Sequence, residues 1–183
     1  MTITSNKQHD SWHWGSIVIH WLSVLVVMSL FVLGLWMVEL NYYSDWYRSA
    51  PNLHKSFGVL LFILTLVRIV WLKLKHTPST VNQPKTREQK LARIAHKTLY
   101  FLLFSVMIFG YLISTADGRA IEIFNVVPIP AIIFGFDKQE DIAGIIHLWL
   151  AIILISLVTI HAAAALKHHF INKDQTLKRM LGL

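Results

Sequence analysis

The stretch Asp141–His169 reads DIAGIIHLWLAIILISLVTIHAAAALKHH. From Ile142 to Leu166 it holds no charged residue, a run long enough to cross the hydrocarbon core of a bilayer as a helix. Two histidines lie inside it, His147 and His161. A spacing of fourteen residues falls about 40° short of four full turns and sets them about 21 Å apart along the axis, facing the same way. His147, Ala151, Leu154, Val158, His161, Ala165 and His168 make one continuous stripe. Polar groups inside a membrane are costly and tend to mark function. Either histidine alone reads equally well as a satisfied core residue. Two on one face, one towards each leaflet, point to two stacked cofactors that each need an imidazole.

The rest of the chain agrees with a polytopic membrane protein. Of its 183 residues 55% are hydrophobic and seven are tryptophan, and the mean hydropathy is +0.52, far from a soluble domain. With no cysteine the chain has no disulfide, iron–sulfur cluster, covalently attached c-type haem or thiol catalysis. The net charge of +7 fits lysine and arginine in cytoplasmic loops and does not call for nucleic acid.

The apolar runs predict an all-α fold. It is a four-helix transmembrane bundle of up-down-up-down order, one domain over residues 1–183, with helices at roughly 15–38, 51–73, 86–114 and 141–169. Trp12, Trp14 and Trp36 are interfacial anchors, and Pro51 suits a first helical turn. The second span is the weakest, because its uncharged centre runs only from Ser56 to Val67; Lys55 and Arg68 must snorkel or pair. Residues 116–139 read as an interfacial loop broken by Pro128 and Pro130, and the basic tail after Phe170 as a surface segment. His9, His13 and His76 read as solvent-facing. With the N-terminus inside, thirteen of the seventeen basic residues fall on the inner side and four (Arg48, Lys55, Arg119, Lys138) on the outer. That asymmetry places both termini in the cytoplasm.

The spacing of fourteen recurs on every span: His20/Gly34, His54/Arg68, His96/Gly110 and His147/His161. Because neighbouring helices run in opposite directions, His20, Arg68, His96 and His161 share an inner level, and Gly34, His54, Gly110 and His147 an outer one. Haem iron in electron-transfer proteins takes two axial ligands, often neutral imidazole. The two glycines would leave room for a flat macrocycle, or serve close helix packing. Arg68 would pair with a haem propionate, or snorkel from a lipid-facing position. At the inner level three histidines compete, with His96 also readable as an interfacial residue. Zinc spacings and nucleotide loops are missing from the sequence, and no acid lies at the centre of a span, as a transporter would want.

Four segments in order, IVIHWL (Ile17–Leu22), NLHKSFG (Asn52–Gly58), AHKTLYFLLF (Ala95–Phe104) and HAAAALKHHFINKDQTLKRML (His161–Leu181), resemble the bacterial cytochrome b561 family. These are diheme membrane cytochromes that include superoxide oxidase. The chain departs from the family pattern at Met107 and Ala120. The resemblance implies two haems b, with His54 and His147 as axial ligands of the outer one and His20 and His161 of the inner. It implies a multi-pass protein of the bacterial inner membrane that takes electrons from superoxide outside and gives them to ubiquinone. His96 and His168 match a possible quinone pocket. Lys55, Arg119 and Lys138 are candidates for steering superoxide, since the outer segments otherwise carry seven acids against four bases and would repel an anion. The expected partners are membrane lipid, quinone and superoxide or another small donor, with no nucleic acid, and the chain is read as a monomer. Two other readings stand beside this one: an electron-relay anchor for a soluble dehydrogenase or hydrogenase, and a histidine-lined channel without cofactor.

Overall fold

The computed structural model describes residues 12–75 and 87–183. Four long helices dominate it: α1 (Trp14–Met37), α2 (Ser49–Leu74), α3 (Arg87–Ser114) and α4 (Gln139–Phe170), followed by a short α5 (Thr176–Leu181). Among the described residues, these four long helices are the ones long and apolar enough to cross a membrane. The expected limits hold to within about a turn. Pro51 falls in the first turn of α2, where its missing N–H costs nothing.

α1 packs chiefly on α2 and α3 chiefly on α4, while the two hairpins touch each other more sparsely, mainly through α2 and α3. Large apolar side chains such as Leu25, Val32, Phe101 and Ile160 point outwards, as suits a surface solvated by lipid chains. The buried interior is thin. It contains one leucine from each long helix: Leu30, Leu61, Leu102 and Leu154. Leu61 lies midway between His54 and Arg68, and Leu154 midway between His147 and His161. Hydroxyls among them are satisfied inside their own helix: Ser23 donates to the Ile19 carbonyl and Thr65 to the Leu61 carbonyl, both at 2.7 Å. That back-bonding removes the penalty of a bare hydroxyl in hydrocarbon.

Three local features depart from the expectations. The loop after α3, read as an irregular interfacial loop, holds a two-stranded antiparallel hairpin, β1 (Ile121–Ile123) paired with β2 (Val127–Ile129), within the all-α bundle. Pro128 tolerates its place opposite Glu122 because a two-stranded ribbon leaves an edge free. The turn uses Phe124 and Asn125, both at positive φ, and the Phe124 N–H donates to Ser56 Oγ at 2.9 Å, which ties the hairpin to α2. The tail, read as a surface segment, carries a helix fixed to the bundle: α5 returns to α1, where Trp21 Nε1 donates to the Met180 carbonyl at 2.8 Å. His13 caps α1, its Nδ1 accepting from the Gly15 N–H at 3.1 Å. Its ring meets Trp71 edge-on, so it is not simply a solvent-facing histidine. His9 and His76 lie outside the described residues.

Candidate functional site

The alternation of helix direction brings the spaced residues together in two levels. At one, His54 on α2 and His147 on α4 approach with ring centroids 6.2 Å apart and planes 72° from parallel. Gly34 on α1 backs His54 and Gly110 on α3 backs His147: a Cβ on either glycine would meet an imidazole carbon at 3.1 Å. The glycines therefore make room first of all for the imidazoles, whereas the sequence suggested room for a macrocycle. His147 Nδ1 donates to the Val106 carbonyl at 2.8 Å, which leaves Nε2 as the ring's free lone pair.

At the other level, Arg68 Nη2 donates to His20 Nδ1 at 2.8 Å, which leaves the proton of the neutral ring on Nε2, and its guanidinium stands over the Tyr100 ring, 5.7 Å from the centroid. Arg68 thus turns into the bundle and does not snorkel to lipid. His96 packs edge-on to His161 with centroids 5.1 Å apart, and His20 lies in the field of Arg68, His161 and His96. The Tyr100 hydroxyl is buried and has no hydrogen-bond partner among the described residues.

Beyond this level, at the end of α4, His168 Nδ1 is paired with Asp174 Oδ2 at 2.7 Å. Partial burial works to raise the Asp174 pKa. The Thr176 N–H, the Thr176 hydroxyl and His168 outweigh it and hold the carboxyl below its usual range. The candidate steering cations differ in state. Arg119 is joined to Asp117 in an exposed ion pair, and their mutual hydrogen bonding lowers the Asp117 pKa and raises that of Arg119. Lys138 occupies the left-handed N-cap of α4. Lys55 and Lys138 have no ion pair among the described residues.

The model of the prokaryotic cytochrome b561 family matches residues 11–183. The chain belongs to that family. Cytochrome b561 homolog 2 of Escherichia coli K12 is 47% identical over 167 residues, which cover 91% of this chain and 89% of the relative. A probable superoxide oxidase CybB of Yersinia pestis is 30% identical over 179 residues, covering 94% and 97%. Cytochrome b561 homolog 1 of E. coli K12 is 27% identical over 169 residues, covering 90% and 93%. A cytochrome b561 of this kind is a multi-pass electron-transfer protein of the bacterial inner membrane, and its family carries b-type haem.

The outer pair fits such a group. Two metal–nitrogen bonds of about 2 Å and two ring radii of about 1.2 Å put the centroids of axial imidazoles roughly 6.4 Å apart. The His54–His147 separation of 6.2 Å meets that requirement. The 5.1 Å between His96 and His161 does not; those rings meet edge to face. Sequence reasoning missed Tyr100, Val106 and Asp174. Only Val106 carried a signal, four residues before Gly110.

Proposed function

We propose that this cytochrome b561 takes single electrons from superoxide at its outer face and delivers them to ubiquinone within the membrane, through two haems b. His54 and His147 hold the outer haem, and His20 and His161 the inner one. The observation that carries the reading is the meeting of imidazoles from separate hairpins at 6.2 Å, with His147 fixed in the tautomer that leaves Nε2 free. A haem b, when bound, supplies an iron that changes oxidation state by one electron. The rest falls to the chain. The hairpins hold the imidazoles at two depths about 21 Å apart, and Arg68 and Tyr100 offer a cation and a donor to a propionate at the inner level. Both termini are read as cytoplasmic, from the bias of thirteen bases to four.

Two superoxide anions leave as two molecules of O₂. Their two electrons, with two protons, convert one quinone to quinol. His168, hydrogen-bonded to Asp174 at 2.7 Å, and His96 are the residues read as serving that pocket with protons. Lys55 and Lys138 are read as drawing the anion in. The kinship to the Yersinia pestis relative named as a probable superoxide oxidase supports superoxide as donor. One observation favours a second reading, that of an electron-relay subunit docked on a soluble dehydrogenase: Asp117 neutralises Arg119, which weakens the outer face as an anion funnel.

The test is a reduced-minus-oxidised spectrum of purified protein with haem counted per chain, followed by superoxide in the presence of a soluble ubiquinone. Two haems, reduced by superoxide and reoxidised by quinone, are the expected result. A colourless preparation ends the whole reading. Haems that superoxide leaves oxidised, together with a large co-purifying subunit, shift it to the relay.

A further inference from the structure

We infer that Gly34 and Gly110 are positioning residues for the outer imidazole pair. Each lets a histidine from another helix lie against the glycine's helix, beside the carbonyl four residues earlier, and at Gly110 that carbonyl sets the ring's tautomer and aim. The inference rests on the proposed ligation by His54 and His147.

A helical side chain covers the turn N-terminal to its own Cα, so a residue at 110 shields the Val106 carbonyl and a residue at 34 shields that of Leu30. Glycine at both positions uncovers them. His147 uses the opening: its Nδ1 donates to Val106 O at 2.8 Å. His54 sits in the matching place on the other hairpin, with Leu30 O beside it. Its buried Nδ1 does not close that bond. The two halves are thus built alike, one bond tight and the other open.

Close helix packing is the competing account of these glycines. It predicts that an added Cβ would strike the neighbouring backbone. Within 4 Å, the atoms such a Cβ would meet are those of the imidazole alone: His54 Cε1 and Nδ1 at 3.1 and 3.6 Å, and His147 Cε1 and Nδ1 at 3.1 and 3.3 Å. Gly58 and Gly144, on the same helices as the histidines, have nothing within 4 Å. They serve as internal controls.

A methyl group at 110 pushes the His147 ring off Val106. A bonded Nδ1–H makes the imidazole a stronger donor to metal and so favours the ferric state. Losing it raises the midpoint potential. A tenfold loss of ferric preference corresponds to about 59 mV for one electron. A methyl at 34 has no closed bond to break, so its effect is smaller.

The experiment compares Gly34→Ala, Gly110→Ala, Gly58→Ala and Gly144→Ala by redox titration and by low-spin EPR, with His147→Ala identifying which haem is the outer one. Gly110→Ala is expected to raise the outer midpoint by roughly 60 mV and shift its EPR signal, leaving the inner haem as it was. Gly58→Ala and Gly144→Ala should change neither. An outer haem in Gly110→Ala with the potential and EPR of the unmodified protein overturns the inference. Two haems retained in His147→Ala sink the ligation reading instead. Should Gly110→Ala fail to assemble, 15N-histidine NMR of the unmodified, reduced protein decides. A His147 Nδ1–H held against exchange with D₂O supports the inference, and rapid exchange there refutes it.

Discussion

Replacing Arg68 by glutamine removes one charge from the inner level while keeping a polar tip of similar reach. Arg68 Nη2 is 2.8 Å from His20 Nδ1. For His20 Nε2 to hold an iron, the ring proton would have to sit on Nδ1 and the guanidinium turn aside from it, which would leave the charge roughly 7 Å or slightly more from the metal. At an effective dielectric of about 20, a unit charge at that distance is worth ~2.4 kcal/mol, or about 100 mV for one electron. A cation stabilises the added electron, so Arg68→Gln lowers the inner midpoint by about that much. At the other level, about 21 Å away along the axis, the same charge is worth ~0.8 kcal/mol, or about 35 mV. A redox titration followed in the haem absorption bands reads both at once, and Arg68→Lys, which keeps the charge, should recover most of the loss. Equal shifts in the two haems, or no shift, would show that the guanidinium does not stand beside one of them.

His54→Ala or His147→Ala is expected to remove about half of the haem absorbance, the outer half, since each leaves one imidazole where two are needed; retention of the full complement contradicts the pairing. Lys55→Glu should slow superoxide oxidation, and in the unmodified protein the rate should fall as salt rises. Rates that ignore ionic strength in both proteins would take Lys55 out of the donor's path. The tail should respond to acid. Asp174 has its pKa lowered on folding, so its contribution to holding α5 is present above the ordinary carboxylate value of about 3.9 and is lost as pH falls through the lowered one. Asp174→Asn is therefore expected to speed tryptic cleavage at Lys178 and Arg179 at neutral pH, and cleavage at an unaltered rate would mean the Asp174 contacts do not anchor the tail.

The long helices were legible because each is an apolar run with aromatic or charged residues at its ends, and the recurrence at fourteen residues carried the two levels with them. What a helix face meets is harder to read, since it depends on which neighbour packs there. Arg68 read equally well as snorkelling out or pairing in, and only the position of His20 on α1 decides between them. Gly34 and Gly110 were visible as missing bulk, but the ring that fills each space comes from a residue 20 or 37 positions away. The Ile121–Ile129 hairpin was hidden by Pro128, which argues against strand everywhere except at an edge. The docking of α5 depends on Trp21 Nε1 finding a backbone carbonyl from the far end of the chain, a contact that no local pattern announces.

Leu30, Leu61, Leu102 and Leu154 close the interior between the two histidine levels, and the hydroxyls of Ser23 and Thr65 there are turned back onto their own helices. Such a layer offers a proton no stepping stone, because protons need a file of polar groups or water. An electron tunnels through hydrocarbon without one. The middle of the bundle is therefore closed to one particle and open to the other, as electron passage between the two proposed haem levels would require.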